Sequence, residues 1–252
     1  MLPAVSTILL DLLACPRCGG KLEDRSKSLL CDSCGQTYPR ENGVPNLVLT
    51  ARADTGLESP GAIAGALGSI VAIPFVYDAV QRLVGAERIF QRVRPILEQV
   101  DGALVLDAGA GTGNLEALLP KAARYLWLDP DPQKLGGFRA KSTAPAVLAD
   151  ATSIPIRDGS VDWSLSVGVS HHLDDEQLGR MLDELRRVTR ERFLFLDAVL
   201  TPSITSRLLW RYDRGRYPRT AEVLRRAVAA RFRIVSDEEF TVRHRYLLLT
   251  AH

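Results

Sequence analysis

The run Leu104–Leu119, LVLDAGAGTGNLEALL, constrains the fold of this chain more than any other stretch. Leu104, Val105 and Leu106 are apolar without alternation, as expected of a parallel strand covered on both faces. An acidic residue, Asp107, closes the strand, and the spacing predicts a glycine-rich turn followed by a helix. Gly109, Gly111 and Gly113 allow a tight turn and a close approach of a ligand to the backbone. Ligands in open α/β sheets bind beyond the carboxyl ends of the strands, so this turn is expected to be a cofactor cradle.

The turn reads Asp-x-Gly-x-Gly-x-Gly rather than the Gly-x-Gly-x-x-Gly of dinucleotide sites. Asp107 would repel a pyrophosphate, which seeks free backbone N–H groups at a helix start, but it suits an ammonium group. YLWLD then predicts a second strand ending at Asp129, where a carboxylate can accept hydrogen bonds from ribose hydroxyls. AVLAD predicts a third ending at Asp150, where one can take an adenine amino group. Carboxylates after three successive strands fit a ligand cationic at one end and adenosine at the other, which is S-adenosylmethionine.

On these motifs residues 75–252 resemble the class I S-adenosylmethionine-dependent methyltransferases. LDAGAGTGN is similar to that family's first motif, and LADATSIPIRDGSVDWSLSVGVSHHL to its adenine-binding and fourth-strand segments. The resemblance implies a Rossmann-like seven-stranded α/β sheet with the last strand antiparallel. It implies Asp107, Gly109, Ala110, Gly111 and Gly113 around the methionine moiety, Asp129 and Pro130 at the ribose, and Asp150 and Ala151 at the adenine. Val167 and Gly168, with the residues up to Ser170, would line the pocket floor.

A length of 252 residues accommodates one large α/β domain and a small module, and 46% hydrophobic and 25% charged residues are ordinary for a soluble protein. A net charge of +2 imposes no nucleic-acid partner by itself. Met1–Ala14 lacks the basic leading region of a signal peptide, so a cytoplasmic, reducing location is expected. Four cysteines there favour metal over disulfides. Cys15-Pro-Arg-Cys18 and Cys31-Asp-Ser-Cys34 form two matched C-x2-C pairs, and two such knuckles close a tetrahedral site suited to structural zinc. The wider run LLACPRCGGKLE…LLCDSCGQTYPRENGVPNLV resembles the ribbon of the small activator of tRNA and protein methyltransferases. A similar ribbon precedes the large-subunit rRNA guanine methyltransferases. The expected organisation is a zinc ribbon over 1–49, a linker or cap over 50–74 and a methyltransferase domain over 75–252.

Residues 59–77 carry no charge, but Gly61, Gly65, Gly68, Pro60 and Pro74 interrupt them, so a mobile cap or a lipid-facing surface is expected rather than stable membrane insertion. Helical spacing follows over Phe75–Val84 and Glu87–Val100, and Tyr77 is a candidate for the substrate pocket. Val161–Val167 reads as a fourth strand, Glu176–Val188 as an amphipathic helix, and Arg192–Leu196 as a fifth strand closed by Asp197. His171, His172 and Asp174 thus follow the fourth strand, where a histidine can serve as general base for O-methylation. The alternative reading is that one histidine packs or caps the following helix, with Asp174 as its N-cap.

Nine arginines lie between Ser206 and Arg233, interleaved with Trp210, Tyr212 and Tyr217. Such a set suits single-stranded RNA or an anionic small substrate. Arg225, Arg226 and Arg231 are expected to be solvated, whereas Trp210, Arg211, Tyr212 and Arg214 are the expected acceptor-pocket residues. Phe232–Ser236 and Val242–Thr250 should be the last strands, the final one at the sheet's edge. The chain lacks both an Asn/Asp-Pro-Pro-aromatic loop after the fourth strand and the Ala-Pro-Cys segment expected of rRNA guanine enzymes. A small-molecule methyl acceptor is therefore the leading expectation. RNA is the alternative, and a non-catalytic protein using the fold as a scaffold is the third.

Overall fold

The computed structural model describes residues 7–49, 86–203, 206, 210 and 215–252. The linker over 50–74, the helix expected at Phe75–Val84, and the pocket candidates Tyr77, Arg211, Tyr212 and Arg214 lie outside the described residues. The amino-terminal part starts with helix α1 (Thr7–Leu12), followed by strands β1 (Leu22–Asp24), β2 (Ser28–Cys31), β3 (Thr37–Glu41) and β4 (Val44–Pro45) in one antiparallel meander. The remainder is an α/β sheet of seven strands in the order β10-β11-β9-β8-β5-β6-β7.

After α2 (Ala86–Leu97), strands β5 (Leu104–Ala108), β6 (Arg124–Asp129) and β7 (Ala146–Leu148) step outward in parallel. Helix α3 (Pro132–Arg139) joins the last two. The chain then returns to lay β8 (Val161–Val167) on the other side of β5, followed by α4 (Asp175–Val188) and β9 (Thr189–Val199). The strand order therefore reverses between β5 and β8, and the turns after those two strands lie side by side, where ligands bind in open α/β sheets. α5 (Ala221–Ala229) leads to β10 (Ile234–Thr241) and β11 (Arg245–Ala251).

Three expectations need correction. The glycine turn leads into a single 3-10 turn, Glu116–Leu118, instead of a helix. Gly109, Gly111 and Gly113 all hold positive φ, and Pro120 stops the chain too soon after them for helical turns to propagate. The final strand is not at the edge: β11 inserts between β9 and β10, antiparallel to both. Its run LLLTA is buried, whereas β10 shows Val235 half exposed, so burial on both faces assigns the inner place to β11. The fifth strand also extends well beyond Arg192–Leu196, and Asp197 sits inside it.

Alternating strand residues divide the sheet's two faces. Val105, Leu165, Leu194 and Leu248 face α2, and Tyr125, Trp127 and Leu148 face Phe138 of α3. Leu104, Leu106, Leu126, Leu128, Val147, Phe193 and Phe195 face the opposite layer. α4 and α5 cover the β8–β9 part of that layer. The connection from β7 to β8, residues 149–160, contains no helix, so among the described residues no helix of the sheet's own connections covers the β5–β7 part. The amino-terminal module covers it: Leu9, Leu13, Leu22, Leu29, Tyr38 and Leu47 share one core with Leu126, Leu128, Val147 and Ile156.

Backbone bonds stitch the joint on two sides. Leu47 N donates to Leu148 O (2.8 Å) at the free edge of β7, while Ala14 N donates to Pro155 O (3.0 Å) and Arg157 N to Leu12 O (2.9 Å). The module and the sheet are thus one cooperative unit. Leu13→Ala, at a fully buried position of the joint, should cost roughly 2–5 kcal/mol. Denaturation followed by tryptophan fluorescence checks this, because Trp127 and Trp163 report only the sheet, away from the substitution.

Candidate active site and metal-binding cysteines

The two C-x2-C turns have the same backbone geometry. Gly19 N donates to Cys15 O and Cys15 N to Gly20 O; sixteen residues on, Gly35 N donates to Cys31 O and Cys31 N to Gln36 O. Gly19 and Gly35 hold φ of +75° and +70°, a conformation that excludes most side chains. The four sulfurs lie within 4.8 Å of one another. Cys15–Cys34 and Cys18–Cys31 are 3.8 and 3.5 Å apart. Sulfurs about 2.3 Å from a tetrahedral zinc would stand about 3.8 Å apart, so the set fits that ion. Backbone N–H groups of Cys34 and Ser33 at Cys31, and of Gly20 at Cys18, provide the hydrogen bonds that thiolates favour.

The glycine turn after β5 is held by β6. Asp129 accepts from Gly111 N and Asp131 N, both at 2.9 Å, and Trp127 Nε1 donates to Gly111 O at 2.9 Å. A side chain at Gly113 would run into Phe138, with contact at 2.4 Å. Asp107 is buried and accepts from the Tyr125 hydroxyl at 2.6 Å. Burial pushes its carboxyl up to about 7, opposed by that hydrogen bond and reinforced by the charge of Asp129. Burial likewise pushes Asp129 up to about 6, against the pull of the two N–H groups. Two adjacent buried carboxylates with raised affinity for protons make a turn at which a cationic ligand would be favoured. Pro130 follows Asp129 half-buried, and Asp150 accepts from Thr152 N at 2.8 Å beside buried Ala151. Tyr125, Trp127 and Phe138 are supports that sequence reasoning missed, although the alternation of YLWLD placed two of them on one face.

The turn after β8 abuts this one. Val167 ends the strand, Gly168 takes φ +70°, and Val169 packs so closely on Gly109 that an added Cβ there would meet it at 2.5 Å. His171 then meets an acidic partner, but Asp197 rather than Asp174. Its Nδ1 lies 2.6 Å from Asp197 Oδ1, which also accepts from Ala198 N, while Oδ2 accepts from Ser170 N and Oγ at 2.7 and 2.6 Å. Burial would raise the Asp197 carboxyl, but the His171 charge and these donors hold it below the usual carboxylate range. Asp174 is the N-cap of α4 in a reciprocal box with Gln177, so its carboxylate serves the helix. His172 is exposed, its ring centroid 4.2 Å from that of His171.

Trp210 is buried with its ring edge-on to His171 at 5.7 Å and 5.0 Å from His244, whose ring in turn meets Tyr246 at 6.4 Å. Arg219, expected to be one of a solvated or RNA-gripping set, is buried. It donates to Ser170 O, Leu173 O and Tyr217 O and pairs with Asp175, pinning the histidine turn. Arg225 pairs with Asp237 and Glu239 and Arg231 with Asp183, so these two are ion-paired rather than merely solvated. Among the described residues no helix is long and apolar enough to cross a membrane.

Raised acid pKa values mean stability present below the unfolded value of 3.8 and lost as pH rises through the folded values. The ligand-free protein should therefore lose stability from pH 4 towards 7.5, and Asp107→Asn should flatten that loss. Chemical denaturation at pH 5 and pH 8 measures both.

Comparison with known proteins bears on the two parts of the chain and on the fold. A family described as "Methyltransferase domain" matches residues 105–192, and one described as "Trm112p-like protein" matches residues 6–43. An uncharacterized methyltransferase of Mycobacterium sp. (strain JLS) is 38% identical over 91 residues, 35% of each chain. One from Mycobacteroides abscessus is 29% identical over 136 residues, 48% of this chain and 51% of that one. The chain spans about a third of the length of the first of these relatives. Among solved structures, a complex of the Haloferax volcanii Trm112 methyltransferase activator with a putative methyltransferase superposes with TM-score 0.60 at 18% identity, over 72% of this chain and 95% of that one. The Burkholderia thailandensis 1,6-didemethyltoxoflavin-N1-methyltransferase, bound to its substrate and S-adenosylhomocysteine, superposes with TM-score 0.54 at 20% identity, over 77% and 92%. Such identities compare folds alone. The chain carries a Trm112p-like four-cysteine module joined to a methyltransferase domain of the class I fold.

Proposed function

We propose that this protein transfers a methyl group from S-adenosylmethionine to a small-molecule acceptor. The observation that carries the reading is the crevice at the strand-order reversal. There a turn built on the buried carboxylates Asp107 and Asp129 adjoins a turn presenting His171. S-adenosylmethionine supplies an activated methyl on a sulfonium centre. Asp107 and the backbone of Gly109, Ala110, Gly111 and Gly113 receive its amino-acid end, Asp129 with Pro130 the ribose, and Asp150 with Ala151 the adenine. Val167 and Gly168 floor the pocket. Because in-line displacement at an activated methyl depends on alignment, the two clamped turns are suited to the task. Trp210, beside His171, borders the acceptor position together with His172.

Ion pairs to Arg219, Arg225 and Arg231 remove three of the nine tail arginines from an RNA grip and favour the small acceptor. The Trm112p-like module favours RNA as the second reading; the Haloferax complex likewise pairs a Trm112 activator with a putative methyltransferase. Purified protein incubated with methyl-labelled S-adenosylmethionine and either a metabolite extract or total RNA decides between them. Label in the metabolite fraction is the expected result.

Since the ammonium of the ligand meets Asp107 as a carboxylate, binding should release protons. Affinity for S-adenosylhomocysteine should rise roughly tenfold from pH 6 to pH 8. Calorimetry in buffers of different ionisation enthalpy reads both effects, and Asp129→Ala should abolish binding at either pH. The module, in this reading, holds one structural zinc through Cys15, Cys18, Cys31 and Cys34. Metal analysis should find one zinc per chain and none in Cys31→Ser, whose thermal midpoint falls for the sheet as well as for the module.

A further inference from the structure

The end of the sheet away from the glycine and histidine turns carries a cleft of its own. It encloses about 520 Å3 and lies where β9 and β10 begin. Thr189, in its wall, and Asp197, which holds the histidine turn, stand on the same strand, roughly 25 Å apart at about 3.3 Å per residue. The cleft is therefore separate from the positions proposed for cofactor and acceptor.

Its wall is basic. Arg186 from the last turn of α4, Arg190 and Arg192 of β9, and Arg233 ahead of β10 line it, with Glu191 the one carboxylate side chain among them. Arg190 is matched by Asp162. Arg186 and Arg192 lie instead over aromatic rings, the first 6.0 Å from the centre of Phe232 and the second 5.4 Å from that of Trp163. Arg192 also donates to Gln99 Oε1 at 3.0 Å. Neither of these two, nor Arg233, pairs with a carboxylate among the described residues. Stacking uses the face of a guanidinium and leaves its N–H edge for oxygen ligands. His252 joins the same wall, its ring fixed by donation from Nδ1 to Glu191 O at 2.7 Å.

Three guanidinium groups without carboxylate partners face one carboxylate, a surplus that a single monoanion does not neutralise. Planar guanidinium forks match the oxygens of phosphate groups. The surplus is also confined. Beyond the cleft, Arg225 is matched by Asp237 and Glu239, Arg231 by Asp183, and Arg245 by Glu239. A nucleic-acid strand calls for a longer basic track, so the observations favour a compact ligand. We infer that the cleft binds an oligophosphate group, two or three linked phosphates, through Arg186, Arg192 and Arg233. The site does not depend on the methyl-transfer reading.

Tripolyphosphate is the probe, added to the purified protein without any cofactor and in low-salt buffer, where charges are least screened. Calorimetry should give one site per chain. In the NMR spectrum the Cε1 proton of His252, assigned through His252→Gln, should shift on titration while those of His171, His172 and His244 stay in place. Arg186→Gln combined with Arg233→Gln should weaken binding at least about tenfold. Arg88→Gln combined with Arg94→Gln removes the same charge from exposed positions of α2 and should leave binding unchanged. Thermal midpoints without the probe should match the wild type in both double variants, since none of these four arginines makes an ion pair among the described residues. The inference is overturned if tripolyphosphate does not bind, if the His252 resonance does not move with it, or if the two double variants weaken it equally. A short mixed-sequence RNA forms the second arm. If RNA shifts the His252 resonance and tripolyphosphate does not, the cleft serves a nucleic-acid backbone and the compact ligand is ruled out.

Discussion

The arrangement depends on an apolar joint. A doubly wound sheet must be covered on both faces, and on one face the helices among the described residues cover only the β8–β9 half. Leu126, Leu128 and Val147 are fully buried because Leu13, Leu22, Leu29 and Leu47 of the cysteine module lie over them. The module is too small to build a core of its own, and the sheet lacks a layer without it. Each therefore completes the other, and the backbone bond from Leu47 to Leu148 also pairs the edge strand that would otherwise be open.

Within that frame, two buried carboxylates set the crevice. Asp129 organises the glycine turn through Gly111 and Asp131, and Asp197 organises the histidine turn through Ser170, His171 and Ala198. Burying a charge is costly unless it is hydrogen-bonded, and the two sites meet that cost differently. Asp197 has its donors and its cation within the chain, so its acidity is strengthened. At Asp129 and Asp107 burial outweighs the hydrogen-bond donors, and for Asp129 also the charge of Lys134, so theirs is weakened. The first carboxylate orients a protein group, and the second pair suits the charged ligand of the proposed function. This contrast, not the presence of acidic residues at strand ends, separates the two halves of the crevice.

Local chemistry explains what was legible in the sequence. An unalternating apolar run announced β5, short apolar segments closed by acidic residues announced β6 and β7, amphipathic spacing announced α4, and closely spaced glycines announced a turn that such residues make. The matched cysteine pairs were equally plain, since a knuckle is a local turn closed by its own backbone. The helix expected after Gly113 failed because propensity over a few residues cannot overcome Pro120. Arg219 was misread because arginine looks alike whether it is solvated or spends its fork on three carbonyls.

The order of β10 and β11, the pairing of His171 with Asp197, and the seating of the cysteine module were beyond sequence reasoning. Each joins residues far apart in the chain, and nothing in local spacing selects one long-range partner among several. Asp174, three residues from His171, was the nearer candidate, but an N-cap was already its best local use; Asp197, one strand away, became adjacent only when β8 and β9 paired. The sequence by itself determined which segments are strands, which turns are glycine-built and where four thiols gather. Tertiary packing decided which carboxylate serves which partner, because that choice is made by burial across the sheet and not by spacing along the chain.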